Sequence, residues 1–119
     1  HQATANFVKE NLVKDFDLLT IPGAAKNFVS GNVLSQETVK IVKDICLPLH
    51  QIKKIIVINH SDCGAYGGSK NFASAISEER QHQEDLKQTK EILIRAFPHL
   101  EIIIGYAKVT GQQLDFLIF

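Results

Sequence analysis

The residues best suited to chemistry lie in one short turn, at positions 60–68, which reads His-Ser-Asp-Cys-Gly-Ala-Tyr-Gly-Gly. Imidazole nitrogen and thiolate sulfur are usual protein ligands of Zn²⁺, and a spacing of three lets a turn place His60 and Cys63 around one ion. The glycines at 64, 67 and 68 permit tight backbone close to a metal or a small ligand. A His-x-x-Cys pair also occurs where a loop histidine merely adjoins a half-buried thiol, so the surrounding elements must decide.

A strand leads into this turn. The β-branched apolar residues of the segment 54–59 predict a strand buried on both faces, as in the middle of a parallel sheet. A helix over 74–97, stopped by Pro98, and a strand over 101–106 are predicted to follow. The buried side of that helix carries Leu86, Leu93 and Phe97. Because ligands of open α/β sheets bind outside the carboxyl ends of the strands, this position of the turn favours a binding site.

The remaining patterns predict further elements before and after this unit. A helix is predicted over 3–14, and a short buried strand over 17–21 that Pro22 stops. A loop with a short turn near 24–29 is predicted over 23–34. The tail over 114–119 is apolar and forms either a final strand or a docking segment.

A second helix is predicted to begin at Ser35, which has the side chain of an N-cap, and to be ended or distorted by Pro48. Its apolar face is formed by Val39, Val42, Ile45 and Leu49. Cys46 lies beside that face, so we expect a buried core thiol rather than a reactive one.

Length and composition predict a single α/β domain over residues 1–119, with a central, mainly parallel β-sheet flanked by helices. The formal net charge is zero. Nucleic-acid and membrane-surface partners normally require a basic excess, so neither is expected. Two cysteines do not make a disulfide framework, and a reducing, cytoplasmic setting is expected.

The segment 55–64, Ile-Ile-Val-Ile-Asn-His-Ser-Asp-Cys-Gly, resembles the second zinc motif of the β-class carbonic anhydrases, a hydrophobic strand that ends in His-x-x-Cys-Gly. The segment 17–29 is similar to that family's strand and Ala-Gly-Asn-type loop, and the helix over 35–49 is similar to the helix before the motif. The resemblance covers residues 7–68, and the order of elements agrees to about residue 106. The longer turn at 62–68, followed by Glu78, Glu79 and His82, is similar to the corresponding segment of a small divergent branch of the family.

The resemblance implies a Zn²⁺ cofactor held by one histidine and two cysteines, with His60 and Cys63 as two of the ligands. It implies hydration of carbon dioxide to bicarbonate, a lyase reaction, with the Gly64 N–H contacting the substrate. It also implies a homodimer or a larger homo-oligomer.

The third ligand departs from the family pattern. The family takes it from a Cys-x-Asp-x-Arg motif at the end of its first strand, together with an aspartate–arginine pair, and this chain contains no such motif. Cys46 falls within a helix and does not replace it. Because the chain starts at His1 and has no methionine, we expect a fragment whose first strand lies upstream; the alternative is a degenerate relative that has lost the site.

Two other functions remain compatible with these residues. The same zinc and fold would suit hydrolysis of another small heterocumulene, such as carbonyl sulfide or carbon disulfide. A non-catalytic, metal-binding dimeric scaffold is the third possibility.

A further polar group lies on the long helix, where Glu78, His82 and Asp85 share one side. We expect a solvated polar surface there rather than a second metal site. Asp62 is expected to form the turn and to support the ligands rather than bind the metal.

Overall fold

A mixed three-stranded sheet organises the computed structural model, which describes residues 2–11 and 16–119. Strand β1 (Lys54–His60) pairs in parallel with β2 (Glu101–Thr110), so that Lys54 lies opposite Glu101. Strand β3 (Gln113–Ile118) pairs with β2 in the antiparallel direction. The α/β prediction is confirmed, and so is the final strand. The sheet is mixed rather than mainly parallel because the chain turns back directly after β2.

The turn between β2 and β3 is the tightest connection in the sheet. Thr110 lies opposite Gln113, so the loop contains only residues 111 and 112. Gly111 has φ +62°, whereas the following Gln112 has no positive φ. Glycine with positive φ at the first central position is typical of a type II′ turn, whose twist matches that of the strands it joins.

Helix α5 (Ala75–Ala96) connects the two parallel strands and covers one side of the sheet. Its N-terminus is closed reciprocally, since Ser74 Oγ accepts the Ser77 N–H and Ser77 Oγ accepts the Ser74 N–H. The predicted helix over 74–97 is therefore confirmed. Its predicted buried residues Leu86, Leu93 and Phe97 pack in one cluster with Val57, Ile102, Ile104 and Tyr106.

Short helices precede β1. Helix α2 (Ala25–Ser30) occupies half of the predicted loop, and α3 (Val33–Ile41) follows it. The predicted N-cap at Ser35 is wrong, because Asn32 Oδ1 accepts the Ser35 N–H at 3.1 Å and the helix starts at the next residue after Asn32. Asparagine is as good an N-cap as serine, and its amide reaches the third N–H.

The backbone after α3 widens into a π-helical turn, Val42–Cys46, before the final α-helical turn α4 (Leu47–His50). Pro48 distorts the helix as predicted, since its ring and missing N–H are incompatible with regular α-helical bonding one turn earlier. The wider turn changes which residues of the helix face the core, relative to a regular α-helix. Ile45 and Leu49, predicted to be buried, are therefore 45% and 72% exposed, whereas Cys46 is buried.

Cys46 behaves as the core thiol predicted from the sequence. Burial, followed by the negative charge of Asp17, raises the pKa of its thiol, which disfavours the reactive thiolate. Cys46→Ala should lower the free energy of unfolding by about 1–2 kcal/mol through lost packing and leave zinc content unchanged. Urea unfolding with elemental analysis checks this expectation. A metal within about 2.3 Å of the Cys46 sulfur would contradict it.

The two sides of β1 differ in burial. Side chains alternate along a strand, and Val57 and Asn59 on the α5 side are buried. Ile56 and Ile58 on the opposite side are only half-buried, so the prediction of burial on both faces is wrong for the described residues. Helix α1 contacts that opposite side at β3, where the Phe7 ring stacks on Phe116, rather than along β1.

Helix α1 (Gln2–Asn11) agrees with the predicted helix over 3–14 as far as residue 11; residues 12–14 lie outside the described part. The Phe7 ring stacks on the Phe116 ring of β3 with 3.9 Å between centroids, which attaches α1 to the sheet. None of the helices described at 2–11 and 16–119 is long and apolar enough to span a membrane.

An open, mainly apolar cleft of about 1450 Å³ runs along β1, which forms one edge of the sheet. Residues 16–24, α1 and the start of the 60–68 turn line it as well. The strand predicted over 17–21 is wrong. These residues have no regular structure because they pair with no strand of the described chain, and Asp17 Oδ2 instead contacts His50 Nδ1 at 2.6 Å.

Candidate metal centre

The turn at residues 60–68 continues directly from β1 and is anchored on β2. The Ser61 N–H donates to the Ala107 carbonyl at 2.9 Å, and Ser61 Oγ accepts the Val109 N–H at 2.8 Å. Residue 61 therefore extends the parallel ladder by one position beyond His60. This anchor fixes where the chain leaves the sheet, and with it the place of the following residues.

Asp62 forms the sharp bend, as the sequence predicted. Its φ of +56° is in the left-handed region, and its Oδ1 accepts the Ser69 N–H at 2.8 Å. Gly68 has φ +78°, and a Cβ there would lie 3.0 Å from Asp62 Oδ1. Glycine is thus required at 68 by both conformation and space. Gly64 differs, since a Cβ at that position would meet nothing within 4 Å.

The predicted ligands His60 and Cys63 both line the end of the cleft, together with Gly64. The Cys63 side chain is 5% exposed, whereas His60 is exposed. The His60 Nδ1 lies 2.8 Å from the Ser61 carbonyl oxygen, which can only accept a hydrogen bond. Nδ1 therefore carries the proton, and Nε2 is left with a lone pair suited to a metal.

The donors present match zinc in kind but not in number. Among residues 2–11 and 16–119, no group of three or more His, Cys, Asp or Glu side chains is placed to hold a metal ion. Catalytic zinc sites normally use three protein ligands and a water. The described residues thus do not complete a zinc site, and the assignment of His60 and Cys63 stays a prediction.

The polar group on α5 is not solvated, so that prediction is wrong. Glu78, His82 and Asp85 are 3%, 0% and 6% exposed. They do not form a second metal site either, because no three such side chains of the described residues are arranged to hold a metal ion. They face the 60–68 turn and the end of β1, and the polar groups of those segments satisfy most of their hydrogen-bonding capacity.

His82 is the centre of this buried cluster. Asn59 Nδ2 lies 2.9 Å from His82 Nδ1, and the His82 ring lies 3.9 Å from the Tyr66 ring and 5.0 Å from the Tyr106 ring. Since the Asn59 amide donates, His82 Nδ1 accepts and the proton lies on Nε2. That nitrogen has no hydrogen-bond partner among the described residues.

Burial lowers the pKa of His82 to about 4, although the Glu78 and Asp85 carboxylates act in the opposite direction and His60 in the same one. A buried neutral histidine must take up a proton on unfolding below its ordinary pKa. Stability should therefore fall as the pH drops from about 6.5 to about 4, by up to about 3 kcal/mol in total.

Urea unfolding at about pH 7 and about pH 4.5 measures this loss. His82→Gln, which cannot titrate, is the matched control and should remove most of the difference between the two pH values. An unchanged pH dependence in that variant would contradict the assignment to His82.

Asn59 and Tyr66 support the 60–68 turn through buried hydrogen bonds, a role that the sequence analysis did not predict. Asn59 Oδ1 accepts the Ala25 N–H, and its Nδ2 donates to Tyr66 Oη at 3.1 Å. Burial and the Asp85 hydrogen bond raise the pKa of Tyr66, so it stays a phenol donor. The available signal was an asparagine inside an apolar strand, where an unsatisfied amide would be costly.

Comparison with known proteins assigns the chain to a family. A family model described as "Putative carbonic anhydrase" matches residues 1–114, and the chain belongs to that family. An uncharacterized protein of Rickettsia bellii (strain RML369-C) is 31% identical over 100 residues, which are 76% of this chain and 58% of that relative. An uncharacterized protein of Rickettsia conorii (strain ATCC VR-613 / Malish 7) is 27% identical over 108 residues, 85% of this chain and 58% of the relative.

The chain thus spans less than two thirds of the length of either relative. No solved structure matches it.

Proposed function

We propose that the protein to which this domain belongs is a carbonic anhydrase of the β-class type, which hydrates carbon dioxide to bicarbonate with the help of zinc. The observation that carries this proposal is that His60 and Cys63 lie in one turn at the carboxyl end of a strand that is paired in parallel. Both residues line one apolar cleft, and the hydrogen bond between His60 Nδ1 and the Ser61 carbonyl leaves His60 Nε2 as the nitrogen able to bind a metal. Membership of a carbonic anhydrase family supports the same assignment.

Bound zinc lowers the pKa of its water toward about 7, which supplies hydroxide at neutral pH. In this proposal His60 Nε2 and Cys63 Sγ would hold the ion, and the apolar wall of the cleft would receive the substrate. The exposed Gly64, at the start of a 3₁₀ turn, presents its N–H to a bicarbonate oxygen.

The remaining donor is proposed to come from a further strand beside β1. The cleft there is larger than the 300–1,000 Å³ of ordinary small-molecule pockets, at about 1450 Å³, and a strand edge forms its wall. An added parallel strand would pair with the backbone edge of β1 and would end beside His60. A cysteine at the end of that strand would then lie at the same end of the sheet as His60 and Cys63.

One observation favours a second candidate, a metal-binding scaffold without catalysis. The described residues provide two suitable donors and no third, which is enough for weak metal binding but not for a catalytic site. Zinc stoichiometry and turnover of the protein as its gene encodes it separate the two functions.

The test of the proposed function is stopped-flow hydration of carbon dioxide, compared with carbonyl sulfide and carbon disulfide as alternative substrates. Zinc-dependent turnover of carbon dioxide that exceeds turnover of the other two is the expected result. A preference for either sulfur compound would assign the heterocumulene hydrolase instead. Zinc without turnover of any of the three would assign the scaffold.

We further propose a homodimer or larger homo-oligomer in the cytoplasm. Apolar side chains on β3 support the oligomer, since Leu117 and Ile118 are exposed on the second edge strand of the sheet. Sedimentation of the protein as its gene encodes it tests the association state.

A further inference from the structure

The turn that carries His60 and Cys63 rests on a buried polar stripe of α5. The stripe begins with Glu78, His82 and Asp85, which face the turn, and continues along the same side of the helix to Thr89, which does not contact the turn. Carboxylates are almost never fully buried unless they are paired or hydrogen-bonded. The two in this stripe therefore serve a purpose that outweighs their desolvation.

Glu78 joins the two ends of the bend that contains Cys63. Its Oε2 accepts the Asp62 N–H at 2.8 Å, and its Oε1 accepts the Ser69 hydroxyl at 2.9 Å. Asp62 and Ser69 are also connected directly, through the Ser69 N–H and Asp62 Oδ1. A carboxylate that receives two hydrogen bonds makes charge-assisted contacts, which are about twice as strong as neutral ones.

Asp85 holds the middle of the same turn. Its Oδ2 accepts the Tyr66 hydroxyl at 2.7 Å, and Gln81 Nε2 donates to its Oδ1 at 3.0 Å. The Tyr66 N–H in turn donates to the Cys63 carbonyl at 3.0 Å. The backbone of Cys63 is thus connected to α5 on both sides, through Asp62 before it and through Tyr66 after it.

The conformation of Asp62 gives an independent reason for this support. A non-glycine residue at φ +56° is strained, and such strain persists only where surrounding contacts enforce it. The Glu78 hydrogen bond falls on the N–H of that strained residue. Without it, Asp62 can relax, and the thiol of the next residue then loses its fixed direction.

We propose that Glu78 is a positioning residue, assisted by Asp85, which fixes the direction of the Cys63 thiol in the turn at the end of the cleft. The inference rests on the proposed metal-binding function. Glu78 does not contact the metal or the substrate and acts only through the backbone of Asp62 and the hydroxyl of Ser69.

The experiment compares Glu78→Ala with Glu78→Gln in the protein as its gene encodes it. Metal is removed with a chelator, and the rate of Cys63 alkylation by iodoacetamide is followed by peptide mass spectrometry. In Glu78→Ala the rate should rise about 10- to 100-fold, because a hydrogen bond to a charged group is lost. In Glu78→Gln the amide can still accept from Asp62 and donate to Ser69, so the rate should stay within about threefold.

Thr89→Ala is the matched control for a general loss of stability. Thr89 lies on the same stripe and is buried, and its hydroxyl contacts the Ala25 and Asp85 carbonyls but not the turn. This variant should leave Cys63 alkylation unchanged. Zinc titration in competition with a chelator provides the second readout, with affinity about 10- to 100-fold weaker in Glu78→Ala alone.

An alkylation rate in Glu78→Ala equal to that of the wild type would overturn the positioning role. Equal acceleration in Thr89→Ala would overturn it as well, since the effect would then be a general loosening. The two proposals can also fail separately. If the wild type binds no zinc but Cys63 alkylation is still accelerated only in Glu78→Ala, the metal-binding function is refuted and the positioning of the turn by Glu78 is supported.

Discussion

His60→Ala or Cys63→Ser should abolish zinc binding by the protein as its gene encodes it, which should otherwise hold about one zinc ion per subunit. Each substitution removes one donor from the same turn, and the remaining ligands can no longer complete a catalytic site. Elemental analysis of reduced, dialysed protein measures the metal content directly. The expected change is from about one ion per subunit to almost none.

Cys46→Ala is the matched control for this experiment, because it removes the other cysteine of the chain. Its sulfur is buried within the π-helical turn, and it should leave the zinc content intact. Intact, reduced wild type without zinc would refute the metal assignment. Retention of zinc by His60→Ala would refute the role of that side chain alone.

The second expectation concerns the 119 residues expressed by themselves. They should fold poorly and hydrate carbon dioxide no faster than buffer, because one edge of β1 faces an open apolar cleft and the described donors number two. Adding an N-terminal segment that supplies a strand ending in a cysteine should restore both properties. Circular dichroism and stopped-flow hydration measure the two properties.

A segment whose cysteine is replaced by serine is the control, since it should restore folding without restoring hydration. Full activity of the 119 residues alone would contradict the expectation. A third ligand would then have to be sought in a second copy of the chain or outside residues 2–11 and 16–119.

The elements nearest the site were predictable from local pattern. The β-branched run at 55–58 predicted β1, and the predicted start of the long helix at residue 74 agrees with the start of α5. Periodicity over 22 residues determined the inner side of that helix, where Leu86 and Leu93 are buried. The strongest signals were therefore long or repeated ones.

Other features depend on contacts between distant segments and could not be read from local pattern. Glu78, His82 and Asp85 have the spacing of a solvated helix surface, and only the position of the 60–68 turn makes that surface an interior. The apolar run at 17–21 satisfies the pattern of a strand, but a strand also needs a neighbour to pair with. The π-helical turn likewise changed which residues of a correct helix face inward.

The hairpin of β2 and β3 has a consequence for the order in which the chain folds. Its loop of two residues, started by Gly111, closes with little entropic cost, and hairpins of this kind form in about 1–10 μs. The parallel pairing of Lys54 with Glu101 must instead wait until a chain of 46 intervening positions, including α5, has come together. Ser61 is anchored on Ala107 and Val109 of β2, so the turn at 60–68 is expected to be assembled last, on a preformed hairpin. Slow folding is therefore expected to delay the ordering of this turn, and with it the proposed metal binding, more than the gain of far-ultraviolet circular dichroism signal.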